Sequence, residues 1–318
     1  ESKPEIAALL AEASVTPSPA AYRLRNRLHW DPRARQLGFY GHRSWRVAEI
    51  TDCRIVTPAL AERLPVLTAA LTVSCPEPVD LETVEGDNGF VAVLRPAKRG
   101  PGDILPEWVP AQDRCPGVAG FHRLTDSGRL EPGWGPQHVT VNLPIPLEVP
   151  AGSFFQGNRH LVPWLFVKIS ELVGPGDEPV FDLHGGVGFL AAAAGHAGRT
   201  DLTVVEIHRG SASAARRNLP NALVIAVAAE DFVARADSLP RSSVVITDPP
   251  RSGMSAELRR SLTTWRPRRV VMLGCDPSTW SRDAAELLGA GYRLRHVELA
   301  DLFPFTHHVE VIAVMEVD

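Results

Sequence analysis

Residues 180–189 read Val-Phe-Asp182-Leu-His184-Gly185-Gly186-Val-Gly188-Phe189, and Leu190 and four alanines follow directly. A short apolar run ends on an acid, passes through three glycines within four positions, and re-enters an alanine-rich segment. That is a strand turning sharply into a helix, with the Cβ atoms missing where the backbone must bend or meet a ligand. Such a turn needs glycine in any case, so the turn alone does not prove a ligand. The next apolar strand, 202–206, ends on Glu206, twenty-four positions after Asp182. An acid placed there can hold ribose hydroxyls, so the pair points to a nucleoside-containing cofactor. A nicotinamide cofactor and S-adenosylmethionine are not separated by this motif.

The alternation spreads outward from that turn. Helical periodicity covers 160–173, 190–197, 210–219, 256–265 and 279–288, and strand-like runs cover 180–183, 202–206, 223–226, 243–248 and 269–273. Two consecutive strands, 292–301 and 308–317, close the chain. Strands alternating with helices imply an α/β fold with a doubly wound, mostly parallel, Rossmann-like sheet, and the final pair implies an antiparallel edge. Ligands bind outside the carboxyl ends of such strands. The first half has another texture: a short helix at 5–13, strands at 23–30, 36–40 and 45–50, a helix at 58–70, and strands at 90–96, 117–124 and 139–143. Residues 131–136 read as a loop, and Pro144, Pro146 and Pro150 mark a boundary. The expected organisation is a smaller α+β domain over 1–150 and the doubly wound domain over 151–318.

Bulk properties narrow the function. The 318 residues are 44% hydrophobic and 22% charged with a net charge of −4, which disfavours an indiscriminate polyanion binder. No apolar run approaches the ~18 residues of a membrane span, and the first residues lack a signal-peptide pattern, so cytoplasm is the expected location. The four cysteines, Cys53, Cys75, Cys115 and Cys275, are too scattered for a metal clip. His307 and His308 stand without a third ligand at suitable spacing, so no metal is expected. Charge is uneven: Arg23, Arg25, Arg27, Arg33, Arg35, Arg43 and Arg46 face one acid, Asp31, and are interleaved with Tyr22, Trp30, Phe39, Tyr40 and Trp45. That pattern suits phosphate contact and base stacking. It equally suits a strand face whose arginines pair with the acids between Glu77 and Asp87.

Three further clusters follow strand ends on the same expected edge. Asp248-Pro249-Pro250-Arg251-Ser252-Gly253 is a rigid turn that presents a carboxylate to the crevice. Leu273-Gly274-Cys275-Asp276-Pro277 sets a cysteine ahead of a helix with Asp276 at the cap, where the helix dipole favours a thiolate. Glu310 opens the last apolar strand, a poor place for a carboxylate unless it is solvated or catalytic.

In this order the motifs resemble the RNA uracil-C5 methyltransferase family, the 5-methyluridine-forming enzymes of transfer and ribosomal RNA. The resemblance rests on Phe154-Phe155-Gln156-x-Asn158, the glycine turn, Glu206, Asn218, Asp248-Pro-Pro-Arg251-x-Gly253, Cys275-x-Pro277 with Arg282-Asp283, and Asp301-Leu-Phe-Pro304-x-Thr306-x-His308-Val309-Glu310. Tyr22-Arg23-x-x-Asn26, 37–40 and Asp52-Cys53-x-Ile55 are similar, more loosely, to the family's RNA-contacting domain. It implies S-adenosylmethionine as cofactor and RNA as partner, with Cys275 as nucleophile and Glu310 as base. Gln156, Asp182, His184, Gly186, Gly188, Phe189, Glu206, Asp231 and Asp248 would hold the cofactor. Asp248, Arg23, Arg25 and Arg27 would meet the substrate. The chain departs from the pattern at His184-Gly185, at Phe189, at Gly274 and Asp276 where Ser-Cys-Asn-Pro is usual, and at Ala228 where an acid is common. Some members carry an iron–sulfur cluster on three upstream cysteines and one matching Cys53. With Cys53 alone, no cluster is expected in this chain. An RNA-binding module without turnover and a methyltransferase of small heterocycles are the competing readings.

Overall fold

The computed structural model describes residues 4–97, 109–125 and 129–317. In chain order the elements begin with α1 (Pro4–Glu12), β1 (Ser14–Thr16), β2 (Arg25–Asp31), β3 (Gln36–Tyr40), β4 (Val47–Glu49) and α2 (Pro58–Ser74). Next come β5 (Val79–Gly86), β6 (Gly89–Pro96), β7 (Gly120–Leu124), β8 (Leu130–Trp134), β9 (His138–Val141) and β10 (Leu147–Pro150). The regular alternation then runs α3 (Val162–Val173), β11 (Val180–Asp182), α4 (Phe189–His196), β12 (Leu202–Val205), α5 (Arg209–Asn218), β13 (Leu223–Ile225) and α6 (Ala229–Arg235). It ends with β14 (Val244–Thr247), α7 (Ala256–Trp265), β15 (Arg269–Gly274), α8 (Pro277–Gly289), β16 (Arg293–Ala300) and β17 (Glu310–Glu316).

The chain divides into two compact units, and the division differs from a cut at 150. One unit joins the chain up to Pro19, Leu143–Leu147 and everything from His160 onward; the other is Ala20–Asn142 with Glu148–Arg159. The beginning of the chain belongs with its end for two reasons. Ser14–Thr16 pair in parallel with β16, where Thr16 Oγ1 donates to Glu298 Oε1 at 2.8 Å. Ile6 of α1 is buried among Trp280, Leu287 and Met315.

The larger unit holds an eight-stranded sheet in the order β1-β16-β17-β15-β14-β11-β12-β13. Strands β11 to β15 are mutually parallel, and β17 runs antiparallel between β15 and β16. The expected antiparallel pair is therefore present, but β1 rather than β17 forms that edge. Strand order reverses between β11 and β14, which is the topological switch point where a crevice opens at the carboxyl ends. Central strands such as β14 and β15 are almost continuous runs of Val, Ile, Met and Leu because helices cover both faces.

The other unit holds a seven-stranded sheet, β4-β3-β2-β5-β6-β7-β8, and the short pair β10-β9. Sequence periodicity misses β5 (Val-Asp-Leu-Glu-Thr-Val-Glu-Gly), because its acids read as a solvated run. It is in fact flanked by β2 and β6 and almost wholly buried. Residues 131–136 are likewise not a plain loop: β8 pairs with β7 across most of them, and the bulge near Phe121 accommodates its Pro132-Gly133. The core of this unit gathers Leu28, Trp30, Leu67, Leu81, Leu94 and Phe121. No described helix is long and apolar enough to cross a membrane.

Candidate active site

Strand β11 delivers Asp182 to the crevice, fully buried. Its Oδ2 accepts from the Ala191 amide at 3.1 Å, while Oδ1 is buried without a partner. Burial, offset in part by that amide and reinforced by Asp248, lifts the Asp182 carboxyl to about 7. The glycine turn that follows is shaped by three separate constraints. A Cβ on Gly185 would collide with Val204 of the neighbouring strand. Gly186 (φ +54°) and Gly188 (φ +89°) take left-handed conformations, and the space where a Gly186 Cβ would sit is open. Asn218 Nδ2 donates to the Val187 carbonyl at 2.9 Å and pins the turn to α5.

Glu206, just after β12, accepts from the Gly186 amide at 2.8 Å and from the His208 amide at 2.6 Å. It braces the glycine turn directly, with lone pairs left for hydroxyl donors. His184 shares a 3.0 Å hydrogen bond with Thr247 Oγ1 and is brought down to about 4 by desolvation, with Glu230 pulling the other way. Glu230 rather than Asp231 is thus the acid of α6 whose charge reaches the turn; Asp231 is exposed. Phe189 follows Gly188 at the start of α4. It is buried and meets Phe166 of α3 edge-on at 5.8 Å, so it packs the helix layer. Gln156 lies buried in the second unit.

On the other side of the switch point, β14 and β15 carry Asp248 and Cys275 past their carboxyl ends, and β17 begins with Glu310. Gly274 pairs with Val311, so the cysteine and the glutamate emerge beside each other from adjacent strands. Glu310 is 2% exposed and its Oε1 has no partner. Burial and then Asp248 raise its carboxyl well above the usual range, against a backbone hydrogen bond from Gly274. Burial, Glu310 and Asp248 also push the Cys275 thiol up, while Arg251 draws it down. In the free protein these surroundings favour the thiol over the thiolate. His308 Nδ1 lies 3.2 Å from the Cys275 carbonyl oxygen and fixes the backbone there.

The departures around Cys275 have structural causes. Asp276 turns into α8, accepting from Ser278 N at 2.9 Å and Thr279 N at 3.1 Å. Gly274 stands where a Cβ would be 3.0 Å from Trp280 Cδ1, so the bulky ring and the glycine go together. The Asp248–Gly253 turn is anchored on α8 by Thr279 Oγ1 to the Arg251 carbonyl at 3.1 Å, Arg282 to the Ser252 carbonyl at 2.9 Å, and the Met254 amide to Asp283 Oδ2 at 2.7 Å. Sequence reading misses Thr247, Glu230, Thr279 and Trp280. Three of them look like ordinary strand or helix residues, and Glu230 begins a helix with too weak a pattern to detect.

Of the substrate-side arginines, Arg25 and Arg27 both reach Glu82 of β5, Arg27 at 3.4 Å, and Arg95 joins them at 2.7 Å. The pairing with acids of the 77–87 run is thus realised for these two. Three guanidinium groups on one carboxylate still leave a local excess of positive charge. Arg23 is half-buried in the same unit, with its backbone bridged to Asn158.

A thiol with two carboxylates near it at the carboxyl-end edge of a doubly wound sheet, on the same edge as an acid-braced glycine turn, defines an enzyme of the nucleoside-cofactor α/β class. Residues 146–317 match the family described as tRNA (uracil-5-)-methyltransferase. The 23S rRNA (uracil(1939)-C(5))-methyltransferase RlmD of Vibrio vulnificus (strain CMCP6) is 30% identical, the match covering 97% of this chain and 72% of that protein. The tRNA (uracil(54)-C(5))-methyltransferase of Pyrococcus abyssi (strain GE5 / Orsay) is 26% identical over 95% of this chain and 76% of its own length. The fold matches the crystal structure of the Pyrococcus abyssi tRNA (uracil-54, C5)-methyltransferase in complex with S-adenosyl-L-homocysteine, with a TM-score of 0.78 at 23% identity over 98% of this chain and 81% of that one. The chain belongs to the tRNA (uracil-5-)-methyltransferase family, and its cofactor is S-adenosylmethionine.

The residues present fit that cofactor. The orphaned Asp182 Oδ1 and the open space at Gly186 offer an acceptor and a cradle. The edge collects Asp182, Glu206, Glu230 and Asp248 around a neutral His184, a negative setting for a cationic sulfonium and a repulsive one for the pyrophosphate of a dinucleotide.

Proposed function

We propose that this chain methylates C5 of a uridine in RNA through a covalent adduct on Cys275. The observation that carries the mechanism is that Cys275 and Glu310 leave adjacent paired strands side by side, with Glu310 Oε1 buried and without a partner. Asp182, Glu206 and the Gly186–Gly188 backbone would hold S-adenosylmethionine, which supplies the methyl group. C5 of uracil is a weak nucleophile until Cys275 adds at C6: the thiol proton leaves to solvent, the thiolate forms an S–C6 bond, and the ring π electrons move to O4 as an enolate. C5 then takes the methyl group. Its proton passes to Glu310, and the S–C6 bond breaks as the C5–C6 double bond returns.

Burial suits Glu310 to this step: once the carboxyl has given its own proton to solvent in the RNA complex, a carboxylate with a raised pKa is the stronger acceptor for the C5 proton. Asp248, at the mouth of β14, would read the imide N–H of the base. A uracil reaches such a recessed thiol only when flipped out of its stack. The unit built on β2 to β8 would contact the RNA, which by likeness to the relatives is a ribosomal or transfer RNA. Cys275→Ala is expected to abolish methyl transfer and to leave no covalent complex with 5-fluorouridine RNA on a denaturing gel. Methylation that survives this substitution would overturn the mechanism.

A further inference from the structure

The second unit carries a cleft that none of the residues assigned above uses. It measures about 760 Å³ and is lined by Arg33, Arg35, Tyr40, Trp45 and Pro76 among others, within the ~300–1,000 Å³ of ligand clefts. The hairpins β2–β3 and β3–β4 build it together with the end of α2 and the segment that follows it. Tyr40 stacks face to face on His29, with centroids 3.6 Å apart, and His29 Nδ1 is held by Asp80 Oδ1 at 2.7 Å. Trp45 meets Tyr40 edge-on at 5.2 Å and is 59% exposed. It sits in a turn closed by the Gly41 amide on the Arg46 carbonyl and the Ser44 amide on the Gly41 carbonyl. An indole costs free energy when left in water, and this one is held in place by its neighbours.

Around these rings four arginines outnumber the two acids Asp31 and Glu77, and two of the four, Arg33 and Arg35, line the cleft itself. Arg33, Arg35, Arg43 and Arg46 are all exposed, and none pairs with a carboxylate among the described residues. Asp31, which could have neutralised two of them, instead accepts from the Arg33 and Ala34 amides of its own turn at 2.9 and 3.2 Å. Glu77 is the other acid lining the cleft. Unpaired guanidinium groups beside a fixed aromatic pair are complementary to a chain of phosphates carrying bases whose faces are free.

We infer that this cleft binds a single-stranded stretch of the RNA substrate, with one unpaired base stacked on Trp45 and flanking phosphates on Arg33 and Arg35. The inference rests on the uridine-methylation reading and adds a recognition site to it. Duplex RNA would not serve, because its base faces are already stacked and its grooves are read by shape.

Fluorescence anisotropy with a labelled oligouridylate tests this on the full chain. Trp45→Ala is expected to weaken binding about tenfold, as removal of one stacked base does, and Trp45→Phe to restore most of it. Arg33→Ser with Arg35→Ser should flatten the dependence of log K on log salt by about 1.4, at about 0.7 for each phosphate that is no longer neutralised. Binding of S-adenosylhomocysteine by calorimetry should be unchanged in all of them. If these variants hold the oligonucleotide like the parent while Cys275→Ala still abolishes methylation, the cleft is not an RNA site and the uridine reading stands. If instead they change only the oligomeric state, the cleft is a protein contact and the inference falls. A parent protein that neither binds RNA nor forms the 5-fluorouridine adduct would overturn both.

Discussion

Glu82 and Glu310 are each 2% exposed, yet their surroundings are opposite. Glu82 receives Arg25, Arg27 and Arg95, and these guanidinium groups outweigh burial and hold its carboxyl below the usual range. Glu310 receives one backbone hydrogen bond, faces the like charge of Asp248, and leaves Oε1 without a partner. A buried carboxylate costs several kcal/mol unless it is paired or neutralised. In the first case the fold supplies the pairing, and in the second the proton does. Burial alone therefore does not mark a functional acid. An acid whose compensation has been withheld does, since that is the state from which a proton can be taken up and released during a reaction.

Removing each carboxylate should separate these roles. Glu310→Gln is expected to lower turnover by about 10²–10⁴-fold, the range for loss of a positioned base. A methylated RNA–protein adduct should accumulate on denaturing gels, because the thiol can add but cannot leave. Free-protein stability in urea should hold or rise, since the amide has no charge to desolvate. Glu82→Gln should do the reverse. It strands three guanidinium groups and is expected to cost about 1–3 kcal/mol in urea unfolding, with the rate of 5-fluorouridine adduct formation at saturating RNA unchanged. If the glutamine at 310 destabilised and the glutamine at 82 arrested chemistry, the assignment of roles would be inverted.

The same contrast explains what the sequence could reveal. The doubly wound unit is legible because its strands are buried on both faces and read as continuous apolar runs between helical periods, so the positions of Asp182, Asp248, Cys275 and Glu310 at strand ends follow. Strand β5 is not legible, because its Asp80, Glu82 and Glu85 are paired by His29, by three arginines and by Arg159, all of them distant in the chain. The electrostatic surroundings of Cys275 are hidden in the sequence for the same reason. The helix that follows it is visible there, but the two carboxylates that raise its thiol come from other strands. Nothing in the chain order shows that the charge of Glu230, in α6's first turn, reaches His184.

Asp182 extends the comparison to pH. Its carboxyl titrates near 7 in the folded chain against about 3.9 unfolded, so between about pH 4 and 7 the folded state holds the extra proton. Stability then falls as pH rises through that window. His184, lowered to about 4, acts oppositely between about 4 and 6.5, because there the unfolded state holds more protons. Asp182→Asn should remove the first contribution and leave the second. Urea midpoints are thus expected to rise more steeply from pH 4 to 6.5 than in the parent and to stay higher at pH 7.5. Affinity for S-adenosylhomocysteine should fall in the same variant. A stability profile that matched the parent's would show that Asp182 is ionised throughout.

The smallest expected effect belongs to the acid nearest the nucleophile. Asp276 adjoins Cys275 in sequence, and a carboxylate there would be expected to suppress the thiolate further. Its Oδ1, however, accepts two amides at the start of α8, so the cap rather than the thiol receives its charge. Asparagine caps helices about as well as aspartate. Asp276→Asn should therefore shift stability by under about 0.5 kcal/mol, and the pH dependence of Cys275 alkylation by iodoacetamide should be nearly superimposable on the parent's. Asp248→Asn, which removes one of the charges that raise the thiol, should move that profile to lower pH. Were the asparagine at 276 to produce the larger displacement, the neighbour in sequence and not the neighbours in the sheet would set the reactivity of Cys275.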